Sequence, residues 1–263
     1  INPMNQNTFL EHLKKKEYSK VEAYRVENAV ILAAGFASRF APLSYTTPKA
    51  LLRVRGEILI ERQISQLLAA GIPEIYIVTG YQQEKFQYLA EKYPVRLIYN
   101  PEYKTRNNHS SVYAAREVLG NSYICSADNY FTKNVFEPYL YRASYSALYA
   151  DGPTEEYCLT TDADDRITDV VIGGHDSWYM LGHVYFDREF SRKFLSILER
   201  EYDLPETKDL LWEKIYMKHI SELPMYIRRY PAGVIHEFDT LDDLCRFDPS
   251  WNAYRDSLQE TSP

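Results

Sequence analysis

The sequence has few of the features that mark secreted, membrane-inserted or nucleic-acid-binding proteins. Its 263 residues include only three cysteines, Cys125, Cys158 and Cys245, which lie far apart and form no CxxC pair. That spacing fits neither a disulfide framework nor a zinc site and is typical of a reducing, cytoplasmic environment. No apolar run approaches the roughly 18 to 20 residues that a membrane span requires, and the first 27 residues are too charged for a signal peptide. We therefore expect a cytoplasmic protein with no membrane partner.

Positive charge is also scarce, since the formal net charge is -7 at pH 7. Binding along a phosphate backbone requires a surplus of clustered Lys and Arg side chains. We therefore expect no nucleic-acid partner and consider small molecules instead.

What the sequence does contain is an alternation of short apolar runs with amphipathic segments. It predicts strands over residues 29–33, 74–79, 95–99 and 122–126, and helices over residues 59–70, 82–92 and 110–118. This order implies right-handed crossovers and an α/β fold, with a Rossmann-like, mostly parallel sheet flanked by helices. Ligands of such sheets bind beyond the carboxyl ends of the strands.

After Asp128 the pattern changes to strands joined by short turns, over residues 145–150, 157–162, 167–172 and 178–186. This pattern predicts an antiparallel β insertion. Further helices are predicted over residues 188–202, 208–219 and 241–247, and strands over residues 225–230 and 234–239. An amphipathic helix over residues 7–25 precedes all of these.

The loop after the first strand is the most informative segment. Residues 32–43 read LAAGFASRFAPL and residues 47–51 read TPKAL. A strand end, a small-residue turn and two cations ten residues apart, Arg39 and Lys49, suit a triphosphate, because backbone N–H groups line the loop while the cations supply fixed charge. Taken alone, the turn is better explained as an ordinary tight connection.

Acidic residues at two other strand ends predict a metal. Asp128 follows the strand at residues 122–126, where a carboxylate suits Mg²⁺. Glu237 and Asp239 are two apart on a strand, so both face one side, and like charges held together need a cation or a protonation shift. The alternative is an Asp turn at Asp128 and a solvated acidic face with Thr240 or Asp239 capping the next helix. With all three carboxylates considered together, the metal interpretation is favoured.

The two loop blocks together resemble the signature of the sugar-nucleotidyltransferase superfamily, approximately LAAGxGxR…P followed by PK and an apolar residue. The segment HEFDTLDDL at residues 236–244 resembles the terminal acidic block of the same superfamily. Over residues 28–249 the chain is most similar to the bacterial CTP:phosphocholine cytidylyltransferases, on the blocks Gly80-Tyr81, Asn107-Asn108, residues 127–130 and residues 155–157. One departure is Ala37, which replaces the second loop glycine and would be disfavoured if that position required a positive φ.

The resemblance implies a magnesium-dependent reaction of CTP with phosphocholine that gives CDP-choline and pyrophosphate by in-line attack on the α-phosphate. It implies catalytic roles for Lys49 and Arg39 on the phosphates and a metal site at Asp128, Asp239 and Glu237. The nucleotide-binding positions that it implies are Leu32, Ala33, Ala34, Gly35, Ser38, Gly80, Tyr81, Asn107, Asn108 and Ala127.

An acceptor with a quaternary ammonium cannot donate a hydrogen bond, so it should be recognised by aromatic faces and carboxylates. The candidates are Glu156 with Tyr157, where the family pattern has Trp, and Asp209 with Trp212. Trp178 and Tyr179 are interpreted as core residues of a hairpin.

The same resemblance divides the chain into an N-terminal helical extension (1–27), a nucleotidyltransferase domain (28–249) and a C-terminal tail (250–263). The chain begins at Ile1 rather than Met, which leaves open whether the extension is a remnant of a larger protein. Phosphoethanolamine, 2-aminoethylphosphonate and a sugar 1-phosphate stay open as acceptors, as does a catalytically silent nucleotide-binding assembly domain. The sequence does not indicate an oligomeric state.

Overall fold

The computed structural model describes residues 4–260, which contain nine α-helices and eleven strands. The helices are α1 (Gln6–Lys14), α2 (Leu43–Thr46), α3 (Leu59–Ala69), α4 (Tyr88–Lys92), α5 (His109–Ala114), α6 (Arg188–Glu201), α7 (Trp212–Lys218), α8 (Leu241–Phe247) and α9 (Asn252–Glu260). The strands are β1 (Asn28–Ala33), β2 (Arg53–Val54), β3 (Glu57–Ile58), β4 (Glu74–Thr79), β5 (Val95–Tyr99), β6 (Ser122–Ser126), β7 (Asn129–Phe131), β8 (Ser144–Thr161), β9 (Ile167–Phe186), β10 (Tyr226–Arg229) and β11 (Ile235–Glu237). None of the helices in this range is both long and apolar enough to cross a bilayer.

Seven of these strands form one sheet in the order β10-β8-β9-β6-β1-β4-β5. The neighbours β6, β1, β4 and β5 run parallel, and β10 runs parallel to β8. The β8-β9 hairpin is antiparallel and also pairs antiparallel with β6. The predicted fold class is confirmed, and the predicted insertion turns out to extend the central sheet itself.

The side chains of β1 separate two core layers. Val30 packs with residues of α5, α6 and α7 on one face of the sheet, whereas Ala29 and Ile31 pack with α3 and α4 on the other. Because successive side chains of a strand point to opposite faces, a strand covered on both faces needs apolar residues at every position. This explains the continuous apolar run at the centre of β1.

A third, smaller core holds the long connection between β1 and α3. Phe40 and Leu52 of this connection pack against Phe238, Leu244 and Phe247. The connection carries Arg39 and Lys49, and Phe238 lies within the acidic block. Apolar packing therefore joins two segments that are far apart in the sequence.

Several predicted elements differ from those observed. The four short strands predicted over residues 145–186 are the two long strands β8 and β9, which continue through irregular register near Gly152 and Gly173. The helix predicted over residues 208–219 begins only at Trp212, because the carbonyls of Lys208 and Leu210 accept hydrogen bonds from the Asn107 N–H and the His109 ring. The helices predicted over residues 82–92 and 110–118 are the shorter α4 and α5.

The helix predicted over residues 7–25 ends at Lys14, since Lys16 has a left-handed φ of 57°, and a 3₁₀ segment follows it. Phe9 is buried, with its ring 5.0 Å from that of Tyr24 and 5.4 Å from that of Tyr141. The extension therefore packs on the sheet domain, and the predicted domain boundaries stay predictions. The predicted tail contains α9, and its residues 261–263 lie outside the described range.

Candidate active site

A cleft of about 820 Å³, the first cleft, opens at the carboxyl ends of the parallel strands. Strand β4 pairs with one edge of β1 and β6 pairs with the other, so the direction of the strand order reverses at β1. Open α/β sheets bind ligands where the strand order reverses. The predicted nucleotide-binding residues that line the cleft are Leu32, Ala33, Ala34, Gly35, Tyr81, Asn107, Asn108 and Ala127.

The conformation of the loop after β1 explains the replacement of glycine by Ala37. Ala37 has φ -82° and ψ 80°, which an alanine adopts without the penalty of a left-handed conformation. The replacement of the second loop glycine by Ala37 therefore introduces no steric conflict in this loop.

Gly80, in contrast, is required by a close approach. A Cβ atom at this position would lie 2.6 Å from the Cβ atom of Tyr103 and 3.0 Å from the carbonyl oxygen of Ala34. The Tyr81 N–H also donates to that carbonyl, at 2.9 Å. Gly80 thus lets the loops that follow β1, β4 and β5 meet at the cleft.

Lys49 and Asp128 form the central ion pair of the first cleft. The Lys49 Nζ atom lies 2.8 Å from Asp128 Oδ2, and the two side chains are 15% and 22% exposed. Lys49 Nζ also lies 4.9 Å from the centre of the Phe40 ring. Both groups line the cleft, so a bound phosphate can reach the ammonium.

Ser38 and Arg39 do not line the first cleft. They belong to a 3₁₀ turn over Ser38–Phe40, and the Arg39 side chain is 70% exposed with Nη2 3.8 Å from Asp239 Oδ1. In this structure Arg39 therefore stands beside the acidic block, outside the cleft that was expected to hold the phosphates.

The acidic block lies next to Asp128 because β11 pairs with β7, which places Glu237 opposite Asn129. Burial raises the pKa of Glu237 well above its ordinary value, and the negative charges of Asp128 and Asp239 raise it further. Three carboxylates from two distant segments are thus held where their charges repel one another.

The helix cap that offered an alternative explanation for this block is also present. Thr240 accepts a hydrogen bond from the Asp243 N–H, while the Asp243 carboxylate accepts from the N–H groups of Asp239 and Thr240. Thr240 and Asp243 therefore cap the helix, and the Asp239 carboxylate takes no part in the capping.

Within residues 4–260, no three His, Cys, Asp or Glu side chains stand close enough together to hold a metal ion by themselves. Mg²⁺ usually takes one or two protein carboxylates and completes its shell with water and substrate phosphates. Asp128, Glu237 and Asp239 offer hard oxygen atoms, and the repulsion between their charges would be relieved by a bound cation. This donor set fits a Mg²⁺ ion that binds together with a nucleotide.

A second cleft of about 520 Å³ adjoins this acidic block. Its lining includes the acidic residues Glu156, Glu237 and Asp239, Tyr179, and the two arginines Arg55 and Arg246. Burial raises the pKa of Glu156, and the charge of Asp239 raises it further. The second cleft therefore brings several carboxylates close enough together for their charges to interact.

The side-chain amides of Asn107 and Asn108 are engaged within the protein. Asn107 donates to the Asp209 carbonyl at 3.1 Å and accepts from the Asn108 N–H at 2.8 Å. Asn108 donates to the Glu213 carboxylate at 3.2 Å and accepts from the Trp212 N–H at 2.6 Å. The nucleotide-binding role that the resemblance implies for Asn107 and Asn108 stays a prediction, and in this structure their amides join the first cleft to the start of α7. Asp209 lines the first cleft.

Trp212 and Tyr157 do not form the expected aromatic site. Trp212 is 3% exposed and packs its ring against those of Phe186, Tyr145 and Phe194, so it presents no face to a ligand. Tyr157 packs on the same core layer, and Lys214 Nζ lies 5.2 Å from the centre of its ring. Of the four expected acceptor-binding residues, Glu156 lines the second cleft of the acidic block and Asp209 lines the first cleft.

The sequence analysis missed two cations of the first cleft, Lys104 and Arg106, which follow β5. Arg106 is held by the Tyr202 ring, 4.0 Å from its guanidinium carbon, and by Glu102 at 3.2 Å. Their position after a predicted parallel strand was the available signal. Tyr179, which had been interpreted as a core residue, was also missed.

Comparison with known proteins agrees with this fold. The family model for the MobA-like NTP transferase domain matches residues 29–196. The choline-phosphate cytidylyltransferase of Streptococcus pneumoniae is 37% identical over 215 residues, which is 82% of this chain and 94% of that protein. The 2-aminoethylphosphonate cytidylyltransferase of Lancefieldella rimae is also 37% identical, over 84% of this chain and 92% of that protein.

Among solved structures, the CTP:phosphocholine cytidylyltransferase of Streptococcus pneumoniae superposes with a TM-score of 0.82 at 37% identity. The match covers 86% of this chain and 99% of that one.

Proposed function

Because the chain belongs to the family of MobA-like NTP transferase domains, we propose that it is a cytidylyltransferase that requires Mg²⁺ and transfers CMP from CTP to a small phosphorylated amine, with phosphocholine as the leading acceptor. The observation that carries this proposal is the Lys49–Asp128 ion pair, 2.8 Å long, at the edge of a cleft that adjoins two further carboxylates. Both curated relatives transfer cytidylyl groups, which supports the nucleotide and the reaction type. Their equal identities do not discriminate between the two acceptors.

The loop after β1, the cations and the three carboxylates each have a separate role in the proposed reaction. The loop after β1 offers backbone N–H groups to the triphosphate, and Lys49 exchanges Asp128 for a phosphate oxygen when the nucleotide binds. Asp128, Glu237 and Asp239 would hold Mg²⁺, which supplies neutralisation of the phosphate charges when bound. Arg39, which is exposed and lies beside Asp239, is assigned to the outer phosphates.

The chemical step is an in-line displacement. An oxygen of the acceptor phosphate forms a bond to the α-phosphorus of CTP while the bond to the bridging oxygen breaks, and pyrophosphate leaves. The acceptor phosphate is already ionised at neutral pH, so no general base is required. Positioning and charge neutralisation therefore account for the catalysis.

The proposal is tested by measuring pyrophosphate release with Mg²⁺ while crossing four NTPs with phosphocholine, phosphoethanolamine, 2-aminoethylphosphonate and glucose 1-phosphate. Turnover with CTP and an amine acceptor, abolished by EDTA, is expected. Turnover with glucose 1-phosphate alone would assign a sugar nucleotidyltransferase instead. CTP binding without turnover of any acceptor would leave a nucleotide-binding assembly domain.

A further inference from the structure

We propose that Gln63 of α3 is a positioning residue for the metal-binding carboxylates, because its side-chain amide bridges the turn that carries Asp128. This inference rests on the proposed function, since it concerns how the Mg²⁺ site of that reaction is held in place. Gln63 is 1% exposed, so it acts through Asp128 and Glu237 rather than by contact with a substrate.

The first step is that Gln63 is a polar residue in an apolar layer. The apolar residues around it on α3 are fully buried in one core layer: Ile60, Ile64 and Leu67. A buried amide is unfavourable unless it is hydrogen-bonded. The hydrogen bonds of Gln63 therefore identify what this side chain does in the structure.

The second step is the pair of carbonyl groups that the amide contacts. Gln63 Nε2 donates to the Ser126 carbonyl at 2.8 Å and to the Asn129 carbonyl at 3.1 Å. Ser126 is the last residue of β6 and Asn129 is the first residue of β7. Because a carbonyl oxygen only accepts hydrogen bonds, these two partners fix the orientation of the amide. One side chain therefore joins both ends of the turn that carries Asp128.

The third step concerns Glu237. The backbone of Asn129 pairs with that of Glu237 between β7 and β11. The Gln63 amide thus holds the residue opposite Glu237 as well as the turn of Asp128. Mg²⁺ requires nearly ideal octahedral geometry, so a small displacement of either carboxylate should weaken its binding. Gln63 is placed to fix the relative position of carboxylates from two distant segments.

The neighbouring side chains of α3 provide a contrast, because they hold β7 beyond the turn. Arg62 donates to the Phe131 carbonyl from Nε at 3.3 Å and from Nη2 at 2.9 Å. Gln66 donates to the same carbonyl at 3.1 Å. The Phe131 carbonyl therefore keeps two donors when Gln66 is replaced, whereas replacement of Gln63 removes both bonds across the turn.

The test is direct binding of a divalent ion to the full chain. The complex of the protein with a non-hydrolysable CTP analogue is titrated with Mn²⁺ by calorimetry, and the titration of the analogue alone is subtracted. Gln63→Met removes the amide and should weaken Mn²⁺ binding about tenfold, because two hydrogen bonds no longer hold the site. Gln66→Met makes the same change about one turn along the helix and should stay within about twofold of the parent protein.

Gln63→Asn is a milder variant that keeps folding from deciding the result. It retains a neutral amide but is one methylene group shorter, so it cannot reach both carbonyls and should weaken Mn²⁺ binding several-fold. Hydrogen–deuterium exchange of residues 126–131, measured without ion or nucleotide, is the second readout. Exchange there should be about tenfold faster in Gln63→Met and unchanged in Gln66→Met, while exchange in β1 and β4 stays as in the parent protein.

Unchanged Mn²⁺ affinity in both Gln63 variants would overturn the inference, whatever the exchange shows. An equal loss in Gln66→Met would also overturn it, as would a parent complex that binds no Mn²⁺. Pyrophosphate release is measured separately. A parent protein whose Mn²⁺ binding depends on Gln63 but which turns over no acceptor would support the positioning role and refute the proposed function.

Discussion

The parallel and hairpin halves of the sheet reveal their functional residues in different ways. In the parallel half, formed by β6, β1, β4 and β5, every strand ends at the same edge, so a residue that follows a strand lies at the first cleft. In the hairpin half, formed by β8 and β9, the register decides which side chains face the second cleft. Position along the chain is therefore informative in one half and insufficient in the other.

Glu156 and Tyr157 show the difference most clearly. They are adjacent on β8, yet Glu156 lines the second cleft while Tyr157 packs on the opposite core layer. A shift of one residue exchanges the two faces of a strand, and the β8-β9 register is irregular between Thr154 and Tyr157. Because successive side chains of a strand point to opposite faces, two adjacent residues of β8 serve two faces, and the assignment of the pair to one site did not apply this rule.

The largest expected effect tests the parallel half. Lys49→Met should lower kcat/KM for CTP about a thousandfold, because a positioned charge that acts on the transition state is lost. Steady-state pyrophosphate release measures it, and Lys20→Met, in the N-terminal extension, is the matched control. A loss of less than tenfold would show that the ion pair with Asp128 is structural and that the first cleft was misassigned.

The second effect compares two glycines of the same half. Gly80→Ala should lower the free energy of unfolding by about 1–3 kcal/mol and weaken CTP binding, since the new Cβ atom overlaps Tyr103. Gly35→Ala meets no atom within 4 Å and should change stability by less than about 0.5 kcal/mol. Chemical denaturation and CTP titration check both, and equal effects would contradict the packing argument.

This contrast also shows what the sequence could predict. The fold class, the Lys49 and Asp128 positions and the backbone loop after β1 followed from strand ends and from two motif blocks at the right separation. The steric need for Gly80 did not, because it depends on Tyr103 from a loop with no sequence signal. The hydrogen bonds of Asn107 and Asn108 were not predicted either, since their partners lie about a hundred residues away.

The third effect concerns the junction between the halves. Asn108→Ala removes the acceptor of the Trp212 N–H and the donor to Glu213, and a buried polar group left without a partner costs about 1–3 kcal/mol. We expect kcat/KM to fall about tenfold because α7 loses the hydrogen bonds that join it to the first cleft. Asn134→Ala, which removes an exposed amide bonded to the Gln66 carbonyl, is the control, and equal kinetics in both variants would refute the role of the junction.

The smallest effect belongs to the hairpin half, whose core contains a buried histidine. His183 lies between Ser146 and Tyr230, and burial lowers its pKa to about 3. Below pH 6.5 the unfolded chain binds a proton here that the folded chain does not. The contribution of the neutral His183 side chain to the unfolding free energy is therefore complete above pH 6.5, and it is lost as the pH falls toward 3.

His183→Gln removes this titration while keeping a polar group at the position. When the pH falls from 7 to 5.5, the parent protein should therefore lose about 1 kcal/mol more of its unfolding free energy than the variant does. Urea denaturation at the two pH values measures that change directly, and contributions of other histidines cancel in the difference. A constant difference would mean that His183 binds a proton in the folded protein as readily as in the unfolded chain, and burial in the hairpin core would then not lower its pKa.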